Sequence, residues 1–160
     1  MNKIEFGTDG WRGIIAYDFT IANVMKVSQA VANYLKTKKN PAVMIGYDMR
    51  FMAGKFAETC ASVMAANNIK VYLSDSPLPT PATAVNAVKN KVTGAIMFTA
   101  SHNPAEFLGF KYMTAQGATA PSAVTDKFQK NVNSVKSEKD IRSMDFSQAL
   151  KEKKVVYVDP

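Results

Sequence analysis

Residues 41–73 read PAVMIGYDMRFMAGKFAETCASVMAANNIKVYL, and two changes of hydrophobic period within that stretch decide the fold. Ala42-Val43-Met44-Ile45 is a short apolar run, partly β-branched, set between Pro41 and Gly46, as in a buried strand. Ala53, Phe56, Cys60 and Val63 then recur at three- and four-residue spacing, which predicts a helix that Asn67-Asn68 stops. Ile69-Lys70-Val71-Tyr72-Leu73 returns to an extended pattern. Strand, helix and strand follow one another without a break.

The same alternation extends in both directions. Upstream, Ile21, Val24, Ser28, Val31 and Leu35 form a helical stripe from Thr20 to about Lys38, with Thr20 as N-cap. Downstream, Pro77, Pro79 and Pro81 stiffen a loop that ends in Thr80-Pro81, an N-cap followed by proline at the first helical position, and a short helix runs through Val88. Gly94-Ala95-Ile96-Met97-Phe98 is the next apolar strand. Thr99 to Gly109 is a polar loop, Phe110 to Met113 is extended, and Pro121 opens a helix to about Val135. Ser137 to Lys154 is charged and weakly patterned, and Val155-Val156-Tyr157-Val158 is a final extended run. The expected architecture is a three-layer α/β/α sandwich around a mixed, mostly parallel sheet, with ligands beyond the carboxyl ends of its strands.

Size and composition narrow the function classes. A chain of 160 residues that is 47% hydrophobic and 21% charged fits one domain, placed at residues 1–150. Residues 151–160 read as the start of a connection to a second domain. No apolar run approaches the length of a membrane span, and the N-terminus lacks the apolar stretch of a secretory signal. One cysteine, Cys60, and one histidine, His102, exclude a disulfide framework and a Cys/His zinc site within the chain, and a reducing cytoplasm is the expected setting. The net charge of +7 is scattered, without a basic arm or the aromatic-basic pattern of an RNA-binding sheet, so neither nucleic acid nor membrane is expected as a partner.

Three segments have the composition of a site. In Phe6-Gly7-Thr8-Asp9-Gly10-Trp11-Arg12-Gly13, three glycines allow backbone N–H groups to approach an anion, and Arg12 adds a fork of donors suited to phosphate. The spacing matches neither the P-loop nor the dinucleotide fingerprint, and a tight turn with a structural arginine is the competing reading. In Thr99-Ala100-Ser101-His102-Asn103-Pro104, serine and histidine are neighbours, but adjacent residues of an extended loop point apart and no nucleophile elbow surrounds the serine, which disfavours a hydrolase triad. Pro104 biases Asn103 toward extended geometry. Phosphoryl transfer asks for an exposed hydroxyl, cations and a proton carrier, and Ser101, Lys111, Arg12 and His102 supply those groups. A capped turn beside a surface lysine is the structural alternative. In Gly46-Tyr47-Asp48-Met49-Arg50, Asp48 and Arg50 either pair structurally or border the site, and the structural role is preferred. Cys60, on the apolar stripe of its helix, reads as core.

Taken in order, FGTDGWRG, GYDMR, PLPTPA and TASHNP followed by Gly109-Phe110-Lys111 resemble the first domain of the α-D-phosphohexomutases, in the phosphoglucomutase/phosphomannomutase branch. The resemblance covers roughly residues 4–112. It implies a reversible shift of phosphate between the 1 and 6 positions of a hexose phosphate, through a phosphoserine enzyme and a hexose bisphosphate. Ser101 matches the phosphoryl-carrying serine, and His102 and Lys111 match acid-base or electrostatic groups. Arg12 matches a phosphate binder. A lysine acting as base near neutrality needs burial or cationic neighbours to bring its pKa down from about 10.4, so a purely electrostatic role stays open.

By the same resemblance Mg2+ bridges the phosphate on Ser101, a hexose 1,6-bisphosphate activates, and the remaining metal and sugar ligands come from other domains of the same polypeptide. Little or no mutase activity is therefore expected of this segment alone. A phosphoglucosamine mutase domain and a non-catalytic phosphosugar-binding module are the alternatives. The chain departs from the family at Leu108, where a small polar residue is usual.

Overall fold

A computed structural model of the chain describes residues 4–7 and 10–159, so Thr8 and Asp9 of the first candidate segment lie outside the described residues. The strands are β1 (Trp11–Ile14), β2 (Ala42–Tyr47), β3 (Lys70–Ser74), β4 (Gly94–Phe98), β5 (Phe107–Thr114) and β6 (Val155–Val158). The helices are α1 (Ile21–Leu35), α2 (Ala53–Ala66), α3 (Thr80–Lys89), α4 (Ser122–Ser134) and α5 (Phe146–Lys151). One sheet runs in the order β1-β5-β4-β2-β3-β6. Its β4-β2, β2-β3 and β3-β6 pairings are parallel and the two involving β5 are antiparallel, so the sheet is mixed and mostly parallel, as expected.

Residue alternation divides the sheet between two cores. Val43, Ile45, Val71, Leu73, Ile96, Phe98, Leu108, Phe110 and Tyr112 face one way and pack with buried residues of α1, α2, α4 and α5. Met44, Ala95, Met97 and Met113 face the other way, into a smaller core closed by Leu78, Ala87 and Val92 around α3. The α3 side is thin because helix and sheet approach closely at Gly46, where a Cβ would stand 2.2 Å from Thr83 Oγ1. Five phenylalanines of the larger core, Phe19, Phe56, Phe98, Phe110 and Phe128, are at most 1% exposed. Truncating any one of them to alanine costs roughly 3–5 kcal/mol.

Local chemistry sets the element ends. The Thr20 hydroxyl accepts from Asn23 N–H at 3.2 Å and caps α1, as its sequence position predicts. At α3 the sequence expectation is one residue late: Pro79 occupies the cap, Thr80 is the first helical residue, and no side chain caps the helix. Pro79 already has the extended φ/ψ of a cap residue, and Pro81 falls within the first turn, where its missing N–H costs nothing. The weakly patterned stretch 137–154 contains a 3-10 turn and the short helix α5, whose N-cap Asp145 accepts from Gln148 N–H at 2.9 Å. Residues assigned from sequence to a connection contribute β6, which pairs with β3 in the register Val71↔Val155 through Ser74↔Val158 at the sheet edge.

Candidate functional site

Three aromatic-polar pairs place the site. Trp11-Arg12 lies on β1, Phe98-Thr99 closes β4 and Phe110-Lys111 lies on β5. Phe110 is in register with both Trp11 and Phe98. The aromatics face the larger core, where Trp11 stacks on Phe19 at 4.5 Å and Phe98 meets Phe110 edge-to-face at 5.2 Å. Strand alternation therefore turns Arg12 and Lys111 to the opposite face, the side of α3. Lys111 is opposite Met97, a residue of the smaller core. It is a half-buried strand residue; the polar loop that carries the serine ends sooner than its sequence suggests, because β5 already begins at Phe107.

The serine turn leaves the end of β4 beside the end of β2, since these strands are parallel and Asp48 N–H donates to the Phe98 carbonyl at 3.1 Å. Thr99 N–H is tied to the Gly109 carbonyl, Ser101 N–H to Thr99 Oγ1 and Asn103 N–H to the Ala100 carbonyl, each at 3.0 Å. Ser101 has φ +56°, a left-handed conformation that costs a residue with a Cβ roughly 1–2 kcal/mol. That conformation overturns the expectation that Ser101 and His102 diverge as neighbours in an extended loop. Ser101 Oγ and His102 Nδ1 are 3.5 Å apart, both residues being exposed. The distance is at the outer limit of a hydrogen bond. Among the described residues no ion pair or hydrogen bond to a carboxylate orients the histidine ring, so a hydrolase triad remains unsupported.

Arg12, Ser101, His102 and Lys111, the four residues singled out in the sequence, line one concavity of about 340 Å3, together with Thr80 and Thr99. Its described lining contains two cations and no carboxylate, which suits an anion. Thr80 brings the N-terminal end of α3 to the wall. Arg12 Nη1 donates to Asn103 Oδ1 at 2.7 Å, which fixes the guanidinium beside the serine turn. Leu108, the departure from the family pattern, is fully buried in the larger core and so faces away from Arg12 and Lys111.

Two residues that organise the site are not chosen from the sequence as site residues, although bordering the site is the alternative weighed there for Arg50. Asn103 draws notice there only through the proline that follows it, and in the structure it anchors Arg12. Arg50, expected to pair structurally with Asp48, makes that pairing, with Nε 3.5 Å from Asp48 Oδ2, but its guanidinium also donates to the carbonyls of Ser101, Asn103, Pro104 and Phe107. The signal for this is an arginine just past the end of one strand and a turn just past the end of another. It becomes readable only once β2 and β4 are known to be neighbours. Cys60 is fully buried, as its place on the apolar stripe predicts, and burial pushes its thiol pKa up to about 12.

The chain matches the family described as phosphoglucomutase/phosphomannomutase, alpha/beta/alpha domain I, over residues 3–139. It is 31% identical over 155 residues to a phosphoglucomutase of Staphylococcus haemolyticus, covering 94% of this chain and 28% of that protein. With a phosphoglucomutase of Staphylococcus aureus the identity is 34% over 139 residues, 84% of this chain and 25% of the relative. A crystal structure from Thermus thermophilus, assigned as a phosphomannomutase, superposes with a TM-score of 0.85 at 29% identity, over 99% of this chain and 33% of that one. The chain thus spans between a quarter and a third of the length of these relatives. Among the described residues no helix is long and apolar enough to cross a membrane.

Proposed function

Because the chain belongs to the phosphoglucomutase/phosphomannomutase family, as its α/β/α domain I, we propose that it carries the phosphoserine of a phosphohexomutase, an isomerase that shifts phosphate between the 1 and 6 positions of a hexose phosphate. The observation that supports this reading is the shared, cation-lined concavity into which β1, the β4 turn and β5 bring Arg12, Ser101, His102 and Lys111.

In the proposed cycle the bond between phosphorus and Ser101 Oγ breaks as a sugar hydroxyl oxygen bonds to phosphorus. The hydroxyl proton passes to His102, or to Lys111 in its neutral form, and the departing Ser101 Oγ takes up a proton from His102, whose Nδ1 lies 3.5 Å away. The hexose bisphosphate so formed reorients and returns its other phosphate to Ser101, with the proton moving back to the departing sugar oxygen. Arg12, and Lys111 where His102 carries the proton, spread the charge of the transferring group, an electrostatic contribution that is strong because both side chains are partly withdrawn from water. Arg12 holds a phosphate through guanidinium donors other than the one engaged by Asn103.

Magnesium and an activating hexose 1,6-bisphosphate belong to the same proposal. No three metal-ligating side chains converge among the described residues, and Asp48, behind the serine turn, is engaged by Arg50. The donor set present does not fit a magnesium site on its own. Its further ligands, like the groups that select and turn the sugar, are assigned to parts of the polypeptide beyond this chain, and the segment alone is expected to turn over little or no substrate. A cytoplasmic setting is part of the same proposal.

The test is to incubate the protein, as its gene encodes it, with Mg2+ and a hexose 1,6-bisphosphate carrying labelled phosphate. One covalent phosphate at Ser101, lost in Ser101→Ala, is the expected result. Label on another residue refutes the assignment. Saturable bisphosphate binding with no label at all points to a non-catalytic phosphosugar-binding module.

A further inference from the structure

We infer that Arg50 is a positioning residue for the phosphoryl step, acting on the backbone of the serine turn without touching the ligand. The inference rests on the reading of Ser101 as phosphoryl carrier. A guanidinium has five N–H donors, and in Arg50 the four on Nη1 and Nη2 all donate to carbonyls while Nε lies in an ion pair. Nη1 donates to the Pro104 carbonyl at 2.7 Å and to that of Phe107 at 3.0 Å. Nη2 donates to the carbonyls of Ser101 at 2.9 Å and Asn103 at 2.7 Å, while Nε faces Asp48 Oδ2 at 3.5 Å. The Asp48 carboxylate in turn accepts from Arg50 N–H at 2.9 Å, which fixes the base of the side chain. No Nη donor remains for a phosphate, Nε is turned to the Asp48 carboxylate, and the side chain is only 16% exposed.

Four carbonyls from a seven-residue turn thus converge on one cation. Holding them fixes the turn whose Ser101 lines the concavity with Arg12 and Lys111. The bond to the Ser101 carbonyl fixes the peptide plane that follows the residue of φ +56°. Asn103 extends the arrangement: its carbonyl is held by Arg50 and its side chain holds Arg12 Nη1. One half-buried arginine therefore sets the relative position of the nucleophilic oxygen and the phosphate-binding guanidinium. A lysine cannot replace it, because an ammonium has three donors at a single point and no planar fork.

The experiment compares the parent protein, as its gene encodes it, with Arg50→Lys and Arg50→Ala. Phosphate incorporation at Ser101 is timed at saturating hexose 1,6-bisphosphate, and amide hydrogen exchange is followed residue by residue. A misplacement of about 1 Å at a reacting atom costs on the order of a hundredfold in rate, so labelling slows by about that factor at saturation. Exchange rises at Asn103 and Phe107, whose N–H groups close the turn onto Ala100 and Pro104, and stays at the parent level in the strand Val43–Ile45. Arg50→Lys keeps a cation in place and guards against a variant that simply unfolds.

Labelling of both variants at the parent rate, with the parent labelled at Ser101, overturns the inference and leaves the function standing. Slow labelling with unchanged exchange in the turn also overturns it, since Arg50 would then act on the ligand. Faster exchange throughout the β2 core in both variants overturns it as well, because Arg50 would then hold the fold as a whole. A parent that takes no label at Ser101 overturns the phosphoserine reading, and the positioning role falls with it.

Discussion

Gly109 lies directly beneath Arg12: a Cβ built on it would stand 2.9 Å from Arg12 Cγ and 2.6 Å from the Thr99 carbonyl oxygen. The two residues face each other across the β1-β5 ladder, and the missing side chain of one is the space through which the other reaches the concavity. The Thr99 oxygen cannot retreat cheaply, because the adjoining N–H of Thr99 is bonded to the carbonyl of Gly109 itself.

Gly109→Ala is therefore expected to act on both stability and site. Overpacking of this kind costs roughly 1–3 kcal/mol, which urea unfolding followed by circular dichroism measures directly. The displaced arginine should also weaken phosphate capture, read as slower labelling of Ser101 at subsaturating bisphosphate. A variant with parental stability and parental labelling would show that the close approach constrains nothing.

What is legible in the sequence depends on the range of the interaction concerned. β4 is readable to its exact ends because Gly94 to Phe98 is a continuous buried run. α1 is readable because Thr20 and its apolar stripe are local signals, although Ile21, counted in that stripe, is more than one-third exposed while Val27, outside it, is fully buried. β1 escapes a reading of periods, since a four-residue edge strand with a glycine at its third position carries no period of its own. α5 escapes for a similar reason: its six residues make fewer than two turns, and only Ala149 is buried. Within the site, the residues that chemistry alone singles out, Ser101, His102, Lys111 and Arg12, come together. The residues that hold them, Asn103 and Arg50, work through hydrogen bonds spanning 91 and 51 to 57 positions, and nothing local in the sequence announces such bonds.

The place of Lys111 on a strand sharpens the choice of variant there. Lys111→Met keeps a long unbranched stem against the α3 face and removes only the ammonium, and swaps of similar volume usually cost less than about 1.5 kcal/mol. Labelling of Ser101 and turnover should fall by roughly a hundredfold or more, the range for loss of a proton carrier. Equal losses in kcat and kcat/KM mark an interaction made in the transition state alone. A large drop in the urea midpoint with the rate preserved would reassign Lys111 to the sheet.

The last prediction concerns alkaline pH and the buried thiol. Burial raises the Cys60 pKa from an ordinary 9.0 to about 12, so in the folded protein the group keeps its proton where the unfolded chain has lost it. Between those two values the folded state binds more protons than the unfolded one. Its stability contribution is thus complete below about pH 9 and is lost as pH rises toward 12, at up to about 1.4 kcal/mol per pH unit for a single group. Tyr112, whose hydroxyl burial also pushes upward, acts in the same direction at still higher pH. Cys60→Ala should leave a shallower decline of the urea midpoint between pH 9 and 11, and the native thiol should react with iodoacetamide at pH 8 only as fast as the chain opens. Rapid alkylation of the folded protein, or identical pH profiles for parent and variant, would show that the thiol is not sealed within the α2 face of the core.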